Sequence, residues 1–270
     1  MNIGISNIAW DVIDDNAVLD ILNEFNISTI DIAPTKYFLE PLKAKESEIL
    51  KVRNFWNNRN ISIHGMQSLL FGTSGFNIFN GKDSRNNLLS YLDVICKIAA
   101  SLGVKKLVFG SPKNRNADGI EKSKIFEIAQ EFFLRLGDIA YRHSVDICLE
   151  PNPKEYSCNF MTNSMETLEI VNLVNHPQIL MQIDTGSLFI NKEDPSIIEL
   201  LPSHQIGHIH ISEPMLGPIG FGGNNHGGCC NFIRNNFPDY ILTIEMSRGS
   251  QENYLVDLRN SIKFTVETYK

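Results

Sequence analysis

A single (β/α)8 barrel is the fold this sequence predicts, on three observations. Eight short apolar runs alternate with eight stretches of helical period along 270 residues, the pattern of parallel strands joined by crossover helices. Several runs are continuously apolar and β-branched, as strands covered on both faces read. Ala9-Trp10-Asp11 follows the first run where an open doubly wound sheet would carry a glycine-rich phosphate loop. At this length closure into a barrel is the economical solution. No repeat, low-complexity segment or linker interrupts residues 1–270, so the whole chain is expected to form one domain.

The predicted strands are 2–9, 28–34, 61–67, 105–111, 145–151, 179–185, 206–212 and 240–246. Between them the first helix is expected at 14–26, opening on acidic residues that favour a helix N-terminus. The second is 45–60. The third, 84–103, ends on Gly103, suited to a C-cap. The fourth, 120–144, carries apolar residues at helical spacing, and the fifth, 163–175, opens on the N-cap candidates Asn163 and Ser164. Shorter helical pieces fall at 195–201 and 226–236, and the last helix at 251–270. The longest irregular stretch, 68–83, is the kind of loop that covers a barrel mouth.

Bulk properties narrow the function classes. A formal net charge of −7 gains nothing from phosphate neutralisation and argues against nucleic acid as a partner. No apolar stretch reaches the ~18 residues of a membrane span, and the N-terminus lacks a signal-peptide pattern. Five scattered cysteines, Cys96, Cys148, Cys158, Cys229 and Cys230, suggest reduced thiols in a cytoplasmic protein.

Four of the apolar runs end on residues able to hold a divalent metal: Glu150 in CLEPN, Asp184 in LMQIDTG, His210 in GHIHISE and Glu245 in LTIEMS. These are strands five to eight. Catalytic groups in such barrels come from the C-terminal strand ends, and adjacent strands lie about 4.8 Å apart, so the four side chains can share one ion. Three carboxylates and an imidazole suit Mn²⁺, Mg²⁺ or Co²⁺ better than a structural zinc. Two adjacent oxygens of a polyol or hydroxy-ketone would fill the open coordination positions.

The chain resembles the xylose-isomerase-like barrel superfamily, which includes endonuclease IV and the ketose 3-epimerases, and more narrowly the group called sugar phosphate isomerase/epimerase. The resemblance is carried by IDIAPTK (30–36), MQSLLFG (66–72), LVFGSPKNR (107–115), LEPNP (149–153), IDTGS (183–187), HIHISEP (208–214) and TIEMS (243–247). It implies that Glu150, Asp184, His210 and Glu245 ligate one metal, Mn²⁺ as first choice with Mg²⁺, Co²⁺ or Zn²⁺ as alternatives. It also implies that Glu150 and Glu245 are catalytic, one removing the proton beside a carbonyl and the other returning it while a metal stabilises the enediolate. The expected function is metal-dependent isomerisation or epimerisation of a small carbohydrate, a sugar phosphate or another sugar derivative, nucleotide-linked sugars included. A metal-dependent lyase or dehydratase and a non-catalytic sugar-binding barrel are the alternatives. The subunit count, including a homo-oligomer, is left open. Ser187 stands where the ketose epimerases place a histidine and Leu216 where they place an arginine, a departure from the free-ketose pattern. Endonuclease IV holds three zincs with more histidines than this chain offers, which disfavours DNA repair.

Further substrate-binding candidates lie around the expected mouth. They are His64 and Gln67 on the third strand, Lys113 and Arg115 for an anionic group, and Asn152 beside Glu150. His226 is a candidate pocket cap, Arg248 a cation after strand eight, and Trp10 an apolar wall for a sugar face. Lys36 after strand two is a weaker candidate. His208 shares a strand face with His210 and is a candidate inner-layer residue beneath the metal.

Overall fold

Eight parallel strands close into a barrel in sequence order in the computed structural model, which describes residues 1–249 and 252–270. They are β1 (Asn2–Ser6), β2 (Thr29–Ile32), β3 (Ser62–Met66), β4 (Lys106–Phe109), β5 (Asp146–Leu149), β6 (Ile179–Asp184), β7 (Ile206–Ser212) and β8 (Ile241–Glu245). β8 pairs back onto β1 through Asn2–Ile241 to Ile5–Ile244, which leaves no open sheet edge. Each strand lies inside its predicted run, and the (β/α)8 expectation holds.

The described helices are α1 (Asp15–Glu24), α2 (Pro34–Tyr37), α3 (Glu46–Asn57), α4 (Gly81–Leu102), α5 (Lys122–His143), α6 (Ser164–Val174), α7 (Thr185–Asn191), α8 (His226–Asn236) and α9 (Tyr254–Tyr269). Gly103 ends α4 in the left-handed region at φ 82°, where a residue without Cβ is unstrained. Asn163 caps α6, its side chain accepting from Glu166 N. Two helices depart from expectation. The piece at 195–201 is a 3₁₀ turn, Pro195–Leu200, and the β6–β7 crossover begins instead with α7. Asp184 caps α7 through its carboxylate, so one residue ends a strand and starts a helix. The loop expected over 68–83 is shortened because α4 begins at Gly81. Residue 251, the expected start of the last helix, lies outside the described residues.

The barrel interior is polar, which is uncommon: in this architecture it is usually packed with branched apolar side chains. Contacts across the barrel show which side chains face inward: Asp31 (β2) meets His208 (β7), Gln67 beyond β3 meets Glu245 (β8), and Glu150 beyond β5 meets His210 (β7). Ile209 and Ile211 alternate with His208, His210 and Ser212 and are fully buried on the opposite face, toward the helices. The apolar core therefore sits between barrel and helices, while the interior is left to ionisable groups. Among the described residues no helix is long and apolar enough to cross a membrane. All five cysteines are buried and unpaired.

Candidate metal and substrate site

Glu150, Asp184, His210 and Glu245 converge at the C-terminal end of the barrel, each offering one ligand atom within 4.8 Å of the others. Asp184 and Glu245 are the last residues of β6 and β8, and Glu150 follows β5 by one residue. His210 differs from the expected placement at a strand end. β7 continues to Ser212, and the register pairs Asp184 with His210 and Glu245 with Ser212. The stagger of the closed barrel thus brings a mid-strand residue level with the end of β6, while on β8 it pairs with Thr243, two residues short of Glu245.

Each carboxylate is held by neutral donors. Gln182 Nε2 donates to Glu150 Oε1 at 3.0 Å and Asn152 Nδ2 to Oε2 at 3.2 Å. Ser187 N donates to Asp184 Oδ1 at 2.6 Å and Ser212 Oγ to Oδ2 at 2.7 Å. Gln67 Nε2 donates to Glu245 Oε1 at 2.5 Å. His210 Nδ1 lies 3.3 Å from Glu245 and 3.6 Å from Glu150, while Nε2 lies 3.8 Å from Asp31. Both ring nitrogens are buried without a hydrogen-bond partner. Gly110 leaves the space that Glu150 occupies, since a Cβ there would stand 1.7 Å from Glu150 Oε2.

The electrostatics are those of an acidic cluster short of positive charge. Burial, then Glu245 and Glu150, raise the Asp184 carboxyl to about 7. Burial pushes His210 down, but the nearby carboxylates of Glu245, Asp31 and Glu150 hold it well above its ordinary value. Clustered carboxylates, one of them proton-retaining, and an imidazole with no partner fit a divalent cation and leave room for one.

A cavity of about 390 Å³ rises from this cluster. Glu150, Asp184 and Glu245 line its floor with Gln67, Asn152 and Ser187, and Leu69, Leu70, Phe71, Val108, Phe109, Met215 and Leu216 form apolar walls. Among the described residues, no lysine, arginine or histidine lines it.

The remaining candidates have other partners. Arg115 is fully buried behind the site, donating from NH1 to Glu150 O at 2.8 Å. Lys113 donates to Thr73 O at 3.1 Å, outside the cavity. His226 is buried between Tyr269 OH at 2.8 Å and Glu213 Oε1 at 3.1 Å, where it locks the 213–226 loop and caps no pocket. Arg248 pairs with Asp11 at 2.6 Å and lies over the Tyr254 ring. Trp10 is fully buried, donates to Asp15 at 2.7 Å and packs edge-on against Trp56, so it forms core and not a sugar wall. Lys36 donates to the carbonyls of Asn7 and Trp10. His64 is half-buried with its ring 5.4 Å from that of His208, away from the cavity. His208 is fully buried beneath His210.

Sequence reading missed four residues. Gln182 was legible in principle, two residues before Asp184 on the same strand face. Asp31, a carboxylate in an apolar run, carried a weaker signal. Ser212 and Tyr156, whose hydroxyl accepts from Met215 N at 2.9 Å, carried none.

A polar-cored barrel with an acidic cluster at its strand ends defines the class. The sequence profile described as xylose isomerase-like TIM barrel matches residues 19–265, and the chain belongs to that family. No curated protein matches it in sequence. Among solved structures it resembles D-psicose 3-epimerase of Clostridium cellulolyticum H10, determined with D-tagatose, at 16% identity and TM-score 0.82 over 100% of both chains. It also resembles 3-keto-D-glucoside 4-epimerase of E. coli at 14% identity and TM-score 0.77 over 99% of each. A zinc-bound IolI protein aligns at 17% identity and TM-score 0.76, over 100% of this chain and 98% of the other. At these identities the likeness is one of fold.

Proposed function

We propose that the chain is a divalent-metal-dependent sugar epimerase or isomerase in which Glu150 and Glu245 transfer a proton beside a carbonyl. The convergence of Glu150, Asp184, His210 and Glu245, with the three carboxylates lining the cavity and His210 buried behind them without a hydrogen-bond partner, carries this reading. Structures of the same fold include a psicose 3-epimerase and a ketoglucoside 4-epimerase, which supports a sugar substrate. The four residues would hold one cation, Mn²⁺ foremost given the oxygen-rich donors, with Mg²⁺, Co²⁺ or Zn²⁺ as alternatives. When bound, that cation supplies Lewis acidity to the substrate carbonyl.

The residues divide the remaining work. Gln67 holds Oε1 of Glu245 while Oε2 faces His210, and Gln182 and Asn152 fix the rotamer of Glu150. A proton removed by one glutamate and returned by the other inverts the carbon between them; a proton returned to the neighbouring carbon moves the carbonyl instead. Gln67 and Asn152 are placed to contact substrate hydroxyls, and the apolar walls keep water from the reacting C–H bond. The substrate is uncharged in this reading, because Lys113 and Arg115, the residues expected to bind phosphate, do not reach the cavity. Five unpaired thiols suit a reducing cytoplasm.

The test is metal content together with exchange of substrate C–H into deuterated water. About one metal per chain, lost in Glu245→Gln, with metal-dependent deuterium incorporation, is expected. Turnover without solvent label would exclude proton transfer, and a product lighter by one water would make the protein a dehydratase. Failure to bind any divalent metal would end the catalytic reading.

A further inference from the structure

A second cavity, about 750 Å³, opens beside the first and is roughly twice its size. The two share Ser68, Phe71 and Leu216, so they meet across those side chains. We infer that this outer cavity is a subsite for an apolar, aryl substituent carried by the sugar, so that the preferred substrate is an aryl glycoside that keeps a carbonyl on its sugar ring and not a free hexose. The inference rests on the sugar reading of the inner cavity and extends it.

The walls carry the argument. Leu39, Leu42 and Phe71 line the outer cavity and are 88%, 63% and 72% exposed. Three large apolar side chains left open around one concavity mark a surface that something apolar covers. Pro41 and Tyr91 also line it, as do the charged Lys36, Glu40 and Lys43, and the two rings, Phe71 and Tyr91, favour a flat occupant.

The cations nearby do not favour a phosphate or a nucleotide. Lys36 is committed to two backbone carbonyls, and Lys43 pairs with Glu40 at 2.9 Å. Continuity with the inner cavity distinguishes a substituent of the substrate from a separate partner: a group attached to a sugar over the glutamates passes Phe71 and Leu216 into the larger space.

The test uses the Mn²⁺-loaded full chain and calorimetric titration with 3-keto-D-glucose beside phenyl and 4-nitrophenyl 3-keto-β-D-glucosides, which keep the carbonyl that proton transfer needs. The aryl glycosides are expected to bind about tenfold tighter than the parent sugar or better, equivalent to about 1.4 kcal/mol. Leu42→Asp and Leu39→Asp, each at an exposed position, are expected to bring that ratio close to one. Equal affinity of glycoside and parent sugar in the unaltered chain overturns the subsite alone. Loss of a dimer in Leu42→Asp without change in the ratio also overturns it, and assigns the apolar face to a second copy. If the metal-loaded protein binds neither sugars nor glycosides, the sugar reading falls and the subsite with it.

Discussion

Asp31 Oδ2 and His208 Nε2 lie 2.6 Å apart, fully buried on opposite sides of the barrel, with His210 Nε2 3.8 Å from the same carboxylate oxygen. Burial pushes Asp31 up, but His208 and the other imidazoles beside it hold it well below the usual carboxylate range. The charged carboxylate attracts the Nε2 side of His210, which leaves Nδ1 toward Glu150 and Glu245 as the nitrogen available to the proposed metal. Asp31→Asn is therefore expected to weaken Mn²⁺ binding about 10–100-fold while the barrel stays folded. Asp31→Leu, which leaves His208 without its partner, is expected to lose about 3–5 kcal/mol of stability. Metal titration and denaturant unfolding separate the two effects; unaltered metal affinity in Asp31→Asn would remove Asp31 from the site.

Metal binding is expected to depend on pH in a defined direction. Asp184 is raised from its ordinary 3.8 to about 7 by burial and its acidic neighbours, so it holds a proton in the metal-free fold below that pH. The folded state thus binds more protons than the unfolded one between pH 3.8 and about 7, and metal-free stability falls as pH rises through that window. Raised His210 adds to this: its contribution is present below 6.5 and is lost as pH rises through its elevated value. A cation must displace the Asp184 proton and that of His210 as well, so affinity is expected to drop at least about tenfold per unit below pH 7. The melting temperature gained on adding Mn²⁺ is then larger at pH 8 than at pH 6. An equal gain at both would show that no proton leaves Asp184.

The fold and the clustering of Glu150, Asp184, His210 and Glu245 were legible because both rest on local pattern. Strand runs announce themselves by apolar continuity, and a residue at the end of a run is placed by the barrel wherever the run begins. His210 shows the limit: its level relative to Asp184 depends on inter-strand register, which no single strand encodes. Trp10, His226 and Arg248 have suitable chemistry near the mouth, but their partners Asp15, Glu213 and Asp11 take their polar groups elsewhere. The Asp31–His208 contact joins residues 177 positions apart and has no local signature. α7 was missed because seven residues containing Gly186 show too little period to register.

Gly110 is a steric test of the site. A methyl at this position would overlap Glu150 Oε2, and the neighbouring Asn152 and Gln182 restrict where that carboxylate can go. Gly110→Ala is expected to cost about 1–3 kcal/mol through overpacking and to lower metal affinity by displacing Glu150. Circular dichroism should stay that of a barrel. Full metal affinity in the folded variant would show that Glu150 is not a required ligand in this rotamer.

Arg115 distinguishes support of the site from recognition of an anion. Its guanidinium is fully buried, NH1 holds the Glu150 carbonyl, and Nε and NH2 have no partner. A residue that fixes the backbone of a ligand acts on the metal and on kcat; a residue that binds a substrate anion acts on KM. Arg115→Met keeps much of the side-chain volume, removes a costly buried charge and deletes the bond to Glu150. The change is expected to lower metal affinity about tenfold or more and kcat with it, with KM for a neutral sugar little changed. A variant with normal metal affinity and a KM raised only for phosphorylated sugars would return Arg115 to the substrate side of the site.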